Sequence, residues 1–413
     1  MATVLKRILY MTLVLLTAAC STSEDDSSLA EGGSVTVAFD AKMGSSVSQG
    51  AATRTPRNAI EDNAALSTKG FGVFACYTGL HKYEDSNVHP DFMYNEHVFS
   101  NDNGATWIYS PLKYWPNGEG EVAGLTGINP HYVSFMAYAP WCDDVNPNYC
   151  ITSFSLQGEV GNPWLTYRLA YQTEEEEDFL DRQVDLLYAT QLDQKKPTIA
   201  YRVPFVFNHA LACVGDKIKI ECSSGLQSQI EGRINGTITK AMVVVSSLKI
   251  EYTLTSKGRL VLWSKDEANW QTIFSEDPVC TRILKLVPDE SGDDVIVAAA
   301  NATTPSSTPL VIEGKGVYYI PVELSNYVQT AVVSVSYHIS TYNGSNWSDD
   351  DERVGKATIK LHDYKNSVPE KDAYRSGKHL YINVSLNPMD IALTAAIAPW
   401  EDGGTVEVEG DEQ

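Results

Sequence analysis

The chain has 413 residues, a formal net charge of −22 and 43% hydrophobic residues, enough apolar material for about two domains of ordinary size and too much for global disorder. The acidic balance excludes nucleic-acid partners, which need clustered Lys and Arg, and adsorption of the protein surface to anionic lipid. An acidic shell speaks to solubility and says little about chemistry.

The N-terminus carries Lys6 and Arg7, a short apolar run at Ile8–Leu16, and Thr17-Ala18-Ala19 directly before Cys20. Residues 1–19 therefore read as a signal peptide, too short for a span of about 20 residues. Small residues running into a Cys are similar to a lipoprotein signal, in which the Cys20 thiol is acylated and becomes the mature N-terminus. Thr17 stands where such signals usually carry Leu, with Leu16 one step earlier. The other reading is an ordinary secretory signal cut after Ala19. Glu24-Asp25-Asp26 is either a signal for the outer surface or a solvated linker.

Residues 20–57 read as a propeptide in two parts. Ser34–Asp40 alternates, so Val35, Val37 and Phe39 share one face of a strand. Residues 41–57 are a tether rich in Gly, Ser, Ala and Gln, accessible to a protease and carrying Arg54 and Arg57. The strand is expected to be temporary: held in a precursor, then released by a cut at Arg54 or Arg57. Pro56 lies two places after Arg54 and just before Arg57, and weakens both sites.

Further on, Gly70–Tyr77 is a continuous β-favouring run and reads as a buried strand. Residues 79–104 read as a polar loop, and the prolines of 110–116 exclude a helix or central strand. Tyr132–Ala139 is a strand stopped by Pro140, 141–180 is loop-rich, and Val184–Ala189 is a strand or short helix. Beyond Phe205–Ile220 come strand patterns at 241–246, 248–254, 295–300, 316–322, 331–341, 354–361, 379–386 and 391–400. The alternation is clean in Val333, Val335, Tyr337 and Ile339, and in Leu380, Ile382, Val384 and Leu386, which implies sheets with one wet face. No stretch holds a helical period over several turns. The fold class is all-β, two β-sandwiches in tandem: 58–203, then 204–400, followed by an acidic extension at 401–413.

Signatures of chemistry are sparse. There is no Gly-x-Ser-x-Gly elbow and no His-Glu-x-x-His site. Gly118-Glu-Gly-Glu-Val-Ala123 has the letters of a dinucleotide loop but follows no strand. His81, His89 and His97 read as a polar loop, His209 as a satisfied strand histidine, and Glu174–Asp178 and Asp349–Glu352 as solvated loops without EF-hand order. No cofactor or metal is expected, and no convergent nucleophile, base and oxyanion donors can be named, so an enzyme is not expected. The six cysteines after Cys20 allow 15 pairings; Cys142/Cys150 and Cys213/Cys222 are near enough to close short loops, or the thiols are simply buried. The aromatics of 107–116 either line a glycan-binding face or cover the end of a sandwich.

Five segments then occur in a telling order: Phe71-Gly-Val-Phe-Ala, Trp107-Ile-Tyr-Ser-Pro-Leu-Lys-Tyr-Trp-Pro, Val133-Ser-Phe-Met-Ala-Tyr-Ala-Pro, Val184-Asp-Leu-Leu-Tyr-Ala and Val206-Phe-Asn-His-Ala-Leu-Ala-Cys-Val. With Gly377-Lys-His-Leu-Tyr-Ile-Asn-Val-Ser-Leu and Ile391–Trp400 behind them and a lipoprotein-type signal in front, the chain resembles the fimbrillin family of Bacteroidales, the subunits of type V pili. The resemblance implies two transthyretin-like β-sandwich domains and an outer-membrane lipoprotein precursor anchored at Cys20. It implies an Arg- or Lys-specific surface protease cutting at Arg54 or Arg57, with Arg54 leading, and so removing the strand of Val35, Val37 and Phe39. A strand from a neighbouring pilin subunit then fills the groove, the donor being Ile391, Leu393, Ala395, Ile397 and onward, to build a pilus for adhesion and biofilm formation. Thr405-Val-Glu-Val-Glu, past that donor, is either part of it or a frayed end, and favours a stalk or adaptor subunit. The alternative is a surface lipoprotein that binds a glycan or host ligand and does not polymerise.

Overall fold

The computed structural model describes residues 35–44, 56–83, 87–116, 131–144, 150–172, 178–197, 201–264, 267–273, 278–287, 294–301, 306–322, 327–361, 376–399 and 406–409. The first half forms β1 (Phe39–Met43), α1 (Asn63–Lys69), β2 (Phe71–Gly79), β3 (Met93–Val98), β4 (Tyr132–Ala139), β5 (Ile151–Phe154), β6 (Trp164–Arg168), α2 (Asp178–Arg182), β7 (Leu187–Lys195) and β8 (Val203–His209). Then follow β9 (Ala212–Cys222), α3 (Ser224–Arg233), β10 (Lys240–Thr255), β11 (Lys257–Val261), β12 (Asn269–Thr272), β13 (Val279–Val287), β14 (Val295–Asn301) and β15 (Ser306–Ser307). The chain continues through β16 (Leu310–Glu313), β17 (Val317–Tyr319), β18 (Thr330–Tyr342), β19 (Trp347–Asp349), β20 (Arg353–Lys360), β21 (Lys378–Leu386), β22 (Ile391–Pro399) and β23 (Val406–Glu409). The protein is all-β, with three short helices among the described residues.

Four sheets result. The first runs β1-β8-β7-β4-β2-β3 and the second β12-β11-β6-β5. The third runs β15-β14-β10-β18-β19, with β13 also on β10 and β20 on β18; the fourth runs β16-β9-β21-β22-β23, with β17 also on β9. β2 and β4 are buried on both faces, which is why their sequences read as continuous apolar runs rather than alternating ones. One face of the first sheet packs on the second through Phe74, Tyr138 and Phe154. The other face holds a separate core that includes Val73, Phe135 and Phe205, closed by Leu66 of α1 and by Trp107, Tyr109 and Trp115. β18 and β21 bury the residues that the period-two pattern assigned inward, with Ser340 and His379 buried in addition.

The chain changes sheet between β8 and β9, at Ala210-Leu211, so β8 belongs with the earlier strands although it begins at Val203. It then returns: β11 pairs antiparallel with β6, Leu260 opposite Leu165, placing β11 and, beside it, β12 on the second sheet. Two polar side chains strengthen the joint. Gln183 donates from Nε2 to the Gly316 carbonyl and accepts from the Tyr318 N–H, and the buried Arg282 donates from Nε to the Ala170 carbonyl.

Elements absent from the sequence reading share a cause. β3 falls inside the stretch read as a loop, because Tyr94, Asn95, Glu96 and His97 are polar or aromatic and only Met93 and Val98 are strongly apolar. β5 and β6 are four and five residues long, too short for a pattern. α1 is one such case too, though Asp62 caps it by accepting from the Ala65 N–H and Gly70 closes it at φ 64°. The patterns at 241–246 and 248–254 are a single strand, β10, whose register against β18 shifts between Val245 and Ser247.

Candidate functional site

β1 is the edge strand of the first sheet and runs parallel to β8, with Phe39 opposite Val203 and Met43 opposite Phe207. Every other pair in that sheet is antiparallel. Its residues alternate buried and exposed: Phe39, Ala41 and Met43 point into the core, Asp40 and Lys42 to solvent. Val37, one step upstream, continues the inward row, and Val35 is half-buried. The alternation in the sequence predicts a strand at 34–40; the regular strand is shifted to Phe39–Met43, because Ala41 and Met43 extend the row beyond the charged Asp40. The first residues assigned to the tether are therefore strand.

Phe39 is the centre of the site. Its ring stacks on Phe205 at 5.6 Å and meets Tyr109, Phe135 and Phe71 at 5.4, 5.8 and 6.3 Å. Side chains of this size contribute about 1.5–3 kcal/mol each when fully buried, with a further contribution from aromatic pairing geometry.

The lead-in to β1 is held on both sides. On the β8 side, the Val203 N–H donates to the Ala38 carbonyl at 2.8 Å. On the other side, the Val37 N–H donates to Lys113 O and the Trp115 N–H to Val35 O, both at 2.8 Å, while the Tyr109 hydroxyl donates to Val37 O at 2.8 Å. Trp107, Tyr109 and Trp115 are thus core residues, Tyr109 and Trp115 against β1 and its lead-in and Trp107 against Phe71, not a glycan platform; Ile108, Leu112 and Tyr114 are the exposed large apolar members of that segment. At the far end, Gly44 N–H donates to Phe207 O and Met43 N–H to Asn63 Oδ1.

Cys20 and Arg54 lie outside the described residues, as does the Gly118–Ala123 loop. Arg57 sits in a fixed turn. Its guanidinium pairs with Asp181 at 2.5 Å, and Asn58, at φ 64°, donates from its side chain to the Asp181 and Gln183 carbonyls. The Ile60 N–H then donates to Asp185 Oδ2 at 2.8 Å. Asp185 also faces His209 Nδ1 at 3.1 Å, both side chains buried, so His209 is the satisfied strand histidine that the sequence suggested.

The C-terminal candidates occupy an inner strand. β22 pairs antiparallel with β21 along its whole length, Ile391 opposite Leu386, Leu393 opposite Val384, Ala395 opposite Ile382 and Ile397 opposite Leu380. β23 covers its other edge, Val408 opposite Ala395. Ile391 and Leu393 are buried in the core. The Val-Glu-Val-Glu run past Trp400 is thus a strand of the fourth sheet, and β22 must leave that sheet before it can enter another.

The other candidates do not converge. His97 stacks on Trp141 at 3.9 Å, His89 faces Asp91, and Asp350 joins Arg233 and Arg353. Among the described residues no group of three or more His, Cys, Asp or Glu is placed to hold a metal. None of the six described cysteines is in a disulfide. Burial, with the Asp91 charge adding, pushes the Cys76 thiol up to about 12, and burial with Asp216 and Asp185 raises Cys213 well above the usual range. Thiolate is the reactive form and falls about tenfold per pH unit below the pKa. Iodoacetamide at pH 8 is therefore expected to spare both in the folded chain, at least about a hundredfold slower than in urea. Peptide mass spectrometry checks this; equal labelling in both states would mean that the two sites open without unfolding.

No family model matches the chain. Fimbrium subunit Fim1C of Phocaeicola vulgatus is 26% identical over 367 residues, spanning 85% of each chain. The chain is a homologue of a fimbrium subunit. Among solved structures, a fimbrial assembly protein from Parabacteroides distasonis is 9% identical with a TM-score of 0.37, covering 91% of this chain and 99% of its own. A Bacteroides uniformis protein assigned to cell adhesion is 11% identical with a TM-score of 0.39, covering 88% and 98%. The similarity to this relative runs along most of the chain, a range that takes in strands of both halves.

Proposed function

We propose that the chain is a structural subunit of a type V pilus, made as an outer-membrane lipoprotein acylated at Cys20. A surface protease specific for Arg or Lys matures it, and strand exchange with other pilin subunits then builds a surface fimbrium serving adhesion and biofilm formation. The observation that carries this reading is β1 itself: an edge strand, parallel to its single sheet neighbour, whose side chains fill a core row and whose downstream link carries arginines. Removing it leaves β8 with unpaired backbone groups and the core with open apolar sockets, the two features that an added strand satisfies. The proposed donor, Ile391–Ile397, leaves β21 and β23 of its own fourth sheet and pairs with β8 of the next subunit, filling there the row that Val37–Met43 vacate.

Trypsin treatment of the purified chain tests the reading. Residues up to Arg54 or Arg57 are expected to be lost, after which ladders appear on SDS gels without boiling. A chain that is cut there and stays monomeric would falsify polymerisation by strand exchange. The glycan-binding alternative is not favoured by the 107–116 aromatics, whose largest members are buried in the core.

A further inference from the structure

The groove left by β1 is a graded row of sockets. From N to C they hold Val37, Phe39, Ala41 and Met43, at 1%, 1%, 4% and 8% exposure: a medium side chain, a large one, a very small one and a large one. Interiors are close-packed, so each socket discriminates size. The Ala41 socket rejects a larger side chain by overpacking, and the Phe39 socket, ringed by Phe71, Tyr109, Phe135 and Phe205, is left hollow by a small one.

The sequence at 391–399, Ile-Ala-Leu-Thr-Ala-Ala-Ile-Ala-Pro, satisfies this row in one register only. Aligning Ile391 with Val37 puts Leu393 in the Phe39 socket, Ala395 in the Ala41 socket and Ile397 in the Met43 socket. Sliding two residues either way forces Ile397 or Leu393 into the alanine socket. Slipping by one turns Ala392, Thr394, Ala396 and Ala398 inward and empties the aromatic socket. The Val406-Glu-Val408-Glu run brings only two apolar residues, with Gly410 and Glu412 next in phase.

Direction is decided by the backbone. Reversing the strand with Ala395 still in the alanine socket places Pro399 at the position of Val37. That position needs an N–H, because Val37 donates to the Lys113 carbonyl, and proline has none. In the forward direction Ile391 supplies the N–H to Lys113 and a carbonyl to the Tyr109 hydroxyl.

Building on the strand-exchange reading, the geometry points to residues 391–397 of a second copy of this chain entering parallel to β8, with Ile391, Leu393, Ala395 and Ile397 replacing Val37, Phe39, Ala41 and Met43. Each incoming outward residue then has one defined neighbour. Lys42 lies opposite Val206, so Ala396 takes that place.

Cysteine cross-linking reads the register directly. One chain carries Val206→Cys; a second carries Ala396→Cys, or Thr394→Cys, or Ala398→Cys. The pairs are mixed, cut with trypsin and oxidised, and dimers that survive boiling but not reductant are counted. Cα atoms of facing strands lie within disulfide reach, so the Ala396→Cys mixture is expected to cross-link at least tenfold more than the other two. Cross-linking at Ala398→Cys would mean a slide of two residues, and at Thr394→Cys a slide the other way or an antiparallel strand; either overturns the register while strand exchange stands. Unboiled ladders without cross-linking in any mixture would overturn 391–397 as the occupant. Wild-type chains that are cut and form no ladder overturn strand exchange itself, and the register with it.

Discussion

Phe39→Ala is expected to destabilise the uncut chain by about 3–5 kcal/mol, the range for emptying a large aromatic site, and to leave the mature chain without its N-terminal peptide unchanged. The cost is at the upper end of single substitutions because four rings lose a partner at once and the Tyr109 hydroxyl, Lys113 and Trp115 hold the backbone around the void. Collapse is the usual relief for such a cavity, and here both sides of the lead-in are hydrogen-bonded. Urea unfolding before and after trypsin treatment, with the peptide removed, measures the difference. The same substitution should also speed loss of the cut peptide, since non-covalent burial is what holds it once the tether is severed. Equal destabilisation of the uncut and mature chains would mean that residues 35–43 stay in place after maturation, and β1 would then be a permanent strand.

What the sequence revealed about this site depended on side-chain period. Val35, Val37 and Phe39 gave the inward row, but the row runs on through Ala41 and Met43. An alanine flanked by Asp40 and Lys42 carries too little hydrophobic signal to be distinguished from a tether. The cover of β1 was legible only as two alternatives, since the 107–116 segment is interrupted by prolines and pairs through isolated bridges at Ile108 and Tyr114 rather than as a strand. Tyr132–Ala139 was legible to the residue because both faces are buried and Pro140 ends it. The return of β11 and β12 to the second sheet was invisible: pairing Leu260 with Leu165 joins segments far apart in sequence, and neither strand has a pattern long enough to announce it. The inner position of β22 has the same origin. Its alternation was plain, but an alternating strand fits a groove and its own sheet equally well.

Asp185→Ala is expected to cost about 2–5 kcal/mol, since each buried group that loses a hydrogen-bond partner costs about 1–3 kcal/mol, a large share of the marginal stability of a domain. Asp185 sits between Leu186 and Val184, and nothing in that run marked it as a hub. In the fold its side chain is fully buried and serves two elements, accepting from the Ile60 N–H through Oδ2 and facing His209 Nδ1 through Oδ1. Alanine strands the buried Ile60 N–H and takes the Asp185 carboxylate away from the buried imidazole. Asp185→Asn keeps an acceptor for Ile60 and is expected to cost less, about 1–3 kcal/mol. The substitution also reaches the processing region. Ile60 anchors the turn in which Arg57 pairs with Asp181 and Asn58 bonds the 181–183 backbone, and a protease must draw out an extended segment to cut there. The exposed Arg57–Asp181 pair alone is worth only about 0.2–1 kcal/mol, so the buried Ile60–Asp185 bond is the stronger restraint on the Arg57–Asn58 bond. Limited trypsin digestion of Asp185→Ala, at a urea concentration where the chain remains folded, is expected to give a product beginning at Asn58 in clearly larger yield than wild type. An unchanged urea midpoint and an unchanged N-terminus would show that Asp185 holds neither His209 nor the turn, and that Arg57 is shielded, if at all, by the turn's own hydrogen bonds.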